Sequence, residues 1–269
     1  MFFSVVLFAV ITNAAIASAG QFQGLLWADT VCVRTLGLCH EPFLLGLATG
    51  LIVHSEYVER RAREAGYAGP IDRIPHPAWS LPPVEPARIE GAPLYGCFGN
   101  LNESKRIQEL LAGFARARAR VPSARLLLVG DASRRLRALD PPDGVIRRER
   151  VPEDELWSLM SACDAIVSLR SPTMGETSGS AIRALSLGRP LVVSDVGWFA
   201  ELPDDAAVKV PIGAGEVETI AAALEVLADP ELRARMSRSA RDLVETEHAL
   251  DRVADAYAAA LTVSQAVAA

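Results

Sequence analysis

One short stretch, Arg170-Ser-Pro-Thr-Met-Gly-Glu-Thr-Ser-Gly-Ser180, carries the residue types best suited to binding an anion. An apolar run at 165–169 precedes it and a helix-period run follows it, so a turn from a buried strand into a helix is predicted. Backbone N–H groups and hydroxyls at the start of that helix suit a phosphate, and Arg170 adds a fixed fork of donors at the strand end. The residues expected at the helix start are Thr177, Ser178 and Gly179.

A structural interpretation of the same stretch is equally open. In that interpretation Thr177 or Ser178 is only an N-cap, and Gly175 is only a turn glycine. The crowding of Arg, Glu, Thr and Ser into one short turn favours a binding site over this alternative.

Strand and helix patterns alternate on both sides of this turn. Strands are predicted at 94–98, 125–129, 145 to about 152, 165–169, 191–194 and 207–210. Helices are predicted at 105–120, 133–139, 153–163, 215–228, 230–245 and 248–261, with another after Ser178. Such alternation predicts an α/β fold, a Rossmann-like parallel sheet with helices on both faces, which places ligands at the carboxyl ends of the strands.

A shorter strand–helix–strand pattern stands upstream, at residues 50–75. Prolines and glycines then interrupt every periodic pattern between 79 and 93, because proline cannot continue a helix or a central strand. The predicted domains are therefore a partial N-terminal segment at 1–78, a linker at 79–93 and a second domain at 94–269.

Composition and missing motifs exclude several classes of protein. Half of the 269 residues are hydrophobic and the net charge is −6 without a basic block, so nucleic acid is not an expected partner. The four cysteines show no CxxC spacing and no metal-ligand pairing, which fits a reduced, cytoplasmic setting without a metal site. Pairing of the four cysteines with one another is the alternative. Neither a G-x-G-x-x-G run after the 94–98 strand nor a G-K-[ST] motif occurs, which argues against a dehydrogenase or a P-loop protein.

Four motifs, in order along the chain, resemble the donor-binding domain of one enzyme family. They are Gly96-Cys-Phe-Gly-Asn100 with Lys105, Leu126-Leu-Leu-Val-Gly130, the stretch from Pro152 through Cys163-Asp-Ala165, and Arg183-Ala-Leu-Ser-Leu-Gly-Arg-Pro190. Together they resemble the C-terminal domain of GT-B fold glycosyltransferases of family 4, the group 1 glycosyltransferases. Residues 50–57 and 74–77 resemble the end of that family's N-terminal domain.

The resemblance bears on the beginning of the chain. An apolar run at 2–11 and Ala17-Ser-Ala19 would fit a cleaved signal or a membrane-surface anchor, but no lysine or arginine precedes the run. The run is also short for a transmembrane span. Because the family has a complete first domain, residues 1–78 are interpreted as a partial acceptor-side domain.

The resemblance implies a transferase that moves a sugar from a nucleoside-diphosphate sugar to an unknown glycan, lipid or small-molecule acceptor. It implies a retaining reaction without metal or cofactor, in the cytoplasm, with peripheral membrane contact as a further option. Glu176 would act at the donor sugar as a catalytic residue, and His40 would act on the acceptor side. The donor would be bound by Gly99, Asn100, Lys105, Arg170, Thr177, Ser178 and Gly179.

Five of these residues also have a structural alternative. The alternatives are a solvent-exposed helix-start lysine for Lys105, an ion pair with Asp131 or Asp195 for Arg170, a helix-start carboxylate for Glu176, a turn glycine for Gly99 and a structural role for His40.

The chain departs from the family's pattern of two glutamates eight positions apart. Arg183 stands at the second position, and Glu176 is expected to serve as the first. Since a guanidinium cannot accept a hydrogen bond, Arg183 is expected to pair with an acidic residue or to reach a phosphate. This departure and the partial first domain leave a second interpretation, an inactive nucleotide-sugar-binding remnant.

Overall fold

The computed structural model describes residues 48, 50–173 and 175–268, with side chains as far as Leu261. Contacts divide these residues into two compact units. The first holds the described residues up to Pro77, then Gly175 to Thr177, and the chain from His248 onward. The second holds Ala78–Thr173 and Ser178–Glu247.

The first unit contains a short parallel strand pair, β1 (Leu51–Val53) and β2 (Ile71–Arg73). Helix α1 (Glu56–Glu64) joins the two strands, and Ser55 caps it by accepting a bond from the Val58 N–H at 3.2 Å. The last helix, α9 (Leu250–Ala268), contributes buried residues to a hydrophobic cluster with Ile52 of β1 and Ile74, which directly follows β2.

Six strands form the sheet described in the second unit, in the order β5-β4-β3-β6-β7-β8, and all neighbouring pairs are parallel. Their bounds are Leu94–Phe98 (β3), Arg125–Val129 (β4), Val145–Arg148 (β5), Ala165–Ser168 (β6), Leu191–Ser194 (β7) and Ala207–Val210 (β8). The chain moves outward from β3 to β5 and returns to the other side of β3 with β6. The strand order therefore reverses between β3 and β6, and such switch points are where open α/β sheets bind ligands.

Helices cover both faces of this sheet. Their bounds are Ile107–Arg120 (α2), Arg134–Arg137 (α3), Glu153–Ala162 (α4), Gly179–Ser186 (α5), Trp198–Glu201 (α6), Glu216–Val226 (α7) and Pro230–Glu247 (α8). Alternate residues of β4 point to opposite faces. Leu126 and Leu128 pack with α2 and α7, whereas Leu127 and Val129 pack with α4, α5 and α8. The predicted fold class, a Rossmann-like parallel sheet with helices on both faces, is confirmed.

Several element bounds differ from those predicted. The helix expected from Lys105 begins instead at Ile107, after a 3-10 turn at Glu103–Lys105 and a left-handed Arg106 with φ 53°. The strand expected from 145 to about 152 ends at Arg148, the helix expected at 133–139 spans only Arg134–Arg137, and the sequence pattern did not predict α6.

The predicted division at 1–78, 79–93 and 94–269 stays a prediction, since the compact units group α9 with the first unit. None of the helices in the described part of the chain is long and apolar enough to cross a membrane.

Candidate functional site

The side chain of Lys105 folds back onto the end of β3, the strand that precedes it. The 3-10 turn and the left-handed Arg106 reverse the chain, and Lys105 Nζ donates to the Phe98 carbonyl at 2.7 Å. Only 5% of Lys105 is exposed. A Cβ added to Gly99 would lie 3.7 Å from the same nitrogen. The loop after β3 therefore places an ammonium group beside the exposed backbone of Gly99, at the carboxyl end of the strand.

Arg170 occupies the equivalent place after β6. Its backbone N–H donates to Ser194 Oγ at 2.9 Å, at the end of β7, which holds the start of the loop. Its guanidinium Nη1 donates to Ser104 Oγ at 3.0 Å, in the loop after β3. Because β3 and β6 are neighbours, this bond spans the switch point.

Ser104 joins the two loops through its main chain as well as its side chain. Ser171 N–H donates to the Ser104 carbonyl at 2.8 Å. Burial raises the pKa of the Cys97 thiol in β3, and the charges of Lys105 and Arg170 both oppose that rise. The structure thus brings Lys105 and Arg170 together at one edge of the sheet.

The start of α5 lies beside the end of β6. Ser178 is the N-cap, since its Oγ accepts from the Ala181 N–H at 3.3 Å, and this oxygen is 3.4 Å from Ser168 Oγ. The first α-helical bond runs from Ile182 N–H to the Ser178 carbonyl at 3.0 Å. The amide of Gly179 therefore precedes the helical bonding ladder, where the helix dipole favours an anion. The predicted N-cap role of Ser178 and an anion-binding role for Gly179 are compatible.

Arg183 pairs with an acidic residue, one of its two expected fates. Its Nη2 donates to Glu153 Oε1 at 2.7 Å, at the start of α4. Its Cζ lies 4.5 Å from the ring centroid of Trp79 and 5.5 Å from that of Trp157. Two aromatic rings and one carboxylate thus hold the guanidinium.

Of the remaining predicted residues, Gly99 and Asn100 are exposed at the β3 corner. Glu176 and Thr177 belong to the first compact unit, where the buried Thr177 Oγ1 has no hydrogen-bond partner among the described residues. His40 lies outside the described residues. No group of three or more His, Cys, Asp or Glu within the described ranges is arranged to hold a metal ion.

Sequence reasoning missed Ser104, Glu153 and Trp79. Ser104 precedes Lys105 directly, and that position was the one local signal available. Glu153 and Trp79 gave none, because Arg183 is 30 residues from the first and 104 from the second.

Known proteins resemble this chain in sequence and in fold. A glycogen synthase from Mycobacterium tuberculosis is 29% identical over 168 residues, which is 60% of this chain and 40% of that protein. The sucrose-phosphate synthase of Thermosynechococcus elongatus aligns with a TM-score of 0.68 and 22% identity, over 89% of this chain and 62% of that one. The Anabaena protein HepE, crystallised with UDP and glucose, aligns with a TM-score of 0.66 and 15% identity, over 84% of this chain and 69% of that one.

The match to a family model is longer than half of the chain. The model for glycosyl transferases group 1 matches residues 92–229, which contain the β3 and β6 corners and the start of α5. With that match and this sheet, the chain belongs to the group 1 glycosyltransferases, and its second unit has their GT-B Rossmann-like fold.

Proposed function

We propose that this protein transfers a sugar from a nucleoside-diphosphate sugar to an acceptor, and that its second unit binds the donor. The observation that carries the proposal is the junction of the β3 and β6 corners. There Lys105 and Arg170 reach the same sheet edge, and Ser104 joins their loops through bonds of 3.0 Å and 2.8 Å.

The chemistry follows from the charge that develops when the sugar leaves. Negative charge builds on the departing diphosphate, and fixed positive groups stabilise it without reorganising. Lys105 is buried and Arg170 half-buried, so their attraction for that charge is screened less than it would be in open water. The amide of Gly179 and the dipole of α5 add to it. These groups supply the charge compensation that a metal ion would otherwise give, so we propose a metal-independent reaction.

Roles for the other predicted residues remain part of this proposal. Glu176 acts at the donor sugar, with retention of its configuration, and Thr177, Gly99 and Asn100 contact the donor. The acceptor, a glycan, a lipid or a small molecule, binds residues 1–78, where His40 takes part. UDP-glucose is the first donor to test, because the Anabaena relative was crystallised with UDP and glucose.

Titration of the purified chain with UDP, followed by an assay of UDP release from UDP-glucose with and without EDTA, tests the proposal. Saturable UDP binding and EDTA-resistant UDP release are expected. Absence of binding by UDP and by the other nucleoside diphosphates would contradict the donor site. Binding without release under any acceptor condition would favour the inactive remnant, an interpretation to which the matched synthases lend no support.

A further inference from the structure

A cavity of about 650 Å³ opens in the second unit between the linker and the start of α4. Its volume is in the range of small-molecule pockets, roughly 300–1,000 Å³. The proposed donor site does not use it. The residues that could recognise a ligand there are two tryptophans and four carboxylates, Trp79, Trp157, Glu85, Glu153, Asp154 and Glu155.

Trp79 presents an accessible aromatic surface that is already held in place. It keeps 38% of its surface exposed although it is a large aromatic residue. Arg183 Cζ lies 4.5 Å from its ring centroid, and a Cβ added to Gly179 would come within 3.2 Å of its Cη2. A ring fixed in this way loses little conformational entropy when a ligand stacks on it.

Hydrogen bonds also hold the part of the lining formed by Glu85 and Ser158. Ser158 of α4 donates from Oγ to the Glu85 carbonyl at 2.7 Å, and Ala87 N–H donates to the Ser158 carbonyl at 3.0 Å. Pro82 and Pro83 line the cavity between these bonds and Trp79, and each proline restricts its own backbone. The cavity therefore exists before a ligand arrives.

The charges of the cavity select against phosphates. The described residues that line it include four carboxylates and no lysine, arginine or histidine. Two of these carboxylates are paired with arginines outside the lining, Glu153 with Arg183 at 2.7 Å and Glu155 with Arg148 at 3.6 Å. Glu85 and Asp154 add negative charge, which disfavours an anion.

An aromatic ring such as Trp79 attracts cations, but Arg183 already makes this contact and also binds Glu153 at 2.7 Å. A cationic ligand is therefore not favoured at this ring. Carboxylates accept hydrogen bonds from pairs of hydroxyl groups. A neutral ligand rich in hydroxyls, with an apolar ring face for Trp79, fits both features.

We propose that this cavity binds a neutral oligosaccharide, with one sugar ring stacked on Trp79 and hydroxyls bonded to the surrounding carboxylates. The inference rests on the proposed sugar-transfer function and deepens it. The cavity would give a carbohydrate acceptor a second hold on the donor-binding unit, next to the start of α5.

Calorimetric titration of the full chain with maltotriose, mannotriose and tri-N-acetylchitotriose tests the proposal. At least one of them binds saturably. In Trp79→Ala the affinity for it falls about tenfold or more, and in Trp79→Phe by less than about threefold. Asp154→Asn lowers the affinity for the same sugar. Glu90→Gln changes an exposed linker carboxylate outside the lining and leaves that affinity unchanged. If Trp79→Ala does not fold, Asp154→Asn carries the test.

UDP titrations of the same samples separate this inference from the proposed function. Wild-type and variant chains are expected to bind UDP equally. A wild-type chain that binds UDP but none of the three sugars overturns the oligosaccharide site and leaves the transferase proposal standing. A chain that binds one of the sugars but not UDP supports the oligosaccharide site and contradicts the proposed donor site. Undiminished sugar affinity in Trp79→Ala, loss of UDP affinity in that variant, or binding of spermine in place of sugars would each overturn the oligosaccharide site.

Discussion

At the scale of single residues, the burial of Lys105 is the most informative feature of the site. Lysine is rarely buried without compensation, yet only 5% of this side chain is exposed. Its ammonium group is held 2.7 Å from the Phe98 carbonyl, where the edge of the sheet can receive a ligand. A diphosphate there would meet a charge that is already positioned, so little entropy is lost on binding.

Replacement of Lys105 by alanine is expected to weaken UDP binding by about 1.5–3 kcal/mol, the cost of losing one charged hydrogen bond. Titration calorimetry measures the change. Lys209→Ala is the matched control, because Lys209 is the other lysine of the chain. It lies in β8 and pairs with Asp204 at 2.8 Å. Equal UDP affinity in a folded Lys105→Ala variant would remove Lys105 from the donor site.

At the scale of elements, the site depends on how closely the ends of β3 and β4 approach each other. Gly130, directly after β4, has φ +135°, and a Cβ added there would lie 2.0 Å from the Gly99 carbonyl. No side chain fits this gap, so the close approach requires glycine. The end of β4 is therefore packed directly against Gly99, in the loop that leads to Lys105.

Gly130→Ala is expected to lower the free energy of unfolding by about 2–4 kcal/mol, because backbone strain and the displacement of Gly99 both oppose the native fold. Urea denaturation measures this loss, and UDP affinity should fall with it. Gly213→Ala is the control: its φ is +110° but a Cβ there meets nothing within 4 Å, so only the strain is added. Equal losses in the two variants would show that the approach of Gly130 to Gly99 is unimportant.

The loop before α2 is also fastened to α7. Arg106 donates to both carboxylate oxygens of Glu216, at 3.0 Å from Nε and 2.5 Å from Nη2. The side chain of Glu216 is 2% exposed and that of Arg106 is 25% exposed. Because Arg106 adjoins Lys105, this pair holds the 3-10 turn in place.

Glu216→Gln is expected to cost about 2 kcal/mol of unfolding free energy, less than for a fully buried pair because water reaches Arg106. The change should also weaken UDP binding, since the turn that carries Lys105 loosens. Glu218→Gln lies in the same first turn of α7 and removes an exposed pair with Arg116, so about 0.5 kcal/mol or less is expected. If both variants unfold at the same urea concentration, the buried pair has no special role.

At the scale of the whole molecule, distant parts of the chain meet in the first unit. His248, just before α9, lies with Nδ1 2.7 Å from the His76 carbonyl, while the rings of His54 and His76 are 5.7 Å apart. Ile52 and Ile74 pack with Val253 and Ala260 in one cluster. The beginning and the end of the described chain therefore stabilise one compact unit.

This unit is expected to lose stability in acid. Burial lowers the pKa of His54 below its usual 6.5, and His76 and His248 act in the same direction. The unfolded chain then binds more protons below pH 6.5 than the folded chain, so stability falls as pH drops through 6.5 toward the lower folded pKa. Thermal melts at a series of pH values measure this.

His54→Asn is the matched variant, because it keeps an N–H donor for the Ile74 carbonyl, which His54 Nδ1 approaches at 2.8 Å, but does not titrate. Its melting temperature should fall less than that of the wild type between pH 7.5 and pH 5.5. Parallel curves for the two proteins would exclude His54 as a source of the acid sensitivity.

The sequence by itself was sufficient for the alternation of strands and helices and for the parallel Rossmann-like sheet, because periodicity and turn residues act within a few positions. The family, and with it the candidate Lys105, came from the resemblance of four motifs in order along the chain. The sequence pattern did not predict two short elements, the 3-10 turn before α2 and the four-residue helix α6.

Only the tertiary structure decided which groups hold the site. Ser104 joins the two corners, Glu216 anchors Arg106 from 110 residues away, and Arg183 lies against Trp79 and Glu153. It also decided that α9 packs with β1 and β2. Contacts of this kind depend on how separate elements fold against each other, and no local pattern of residues encodes the partner of a side chain so distant in the chain.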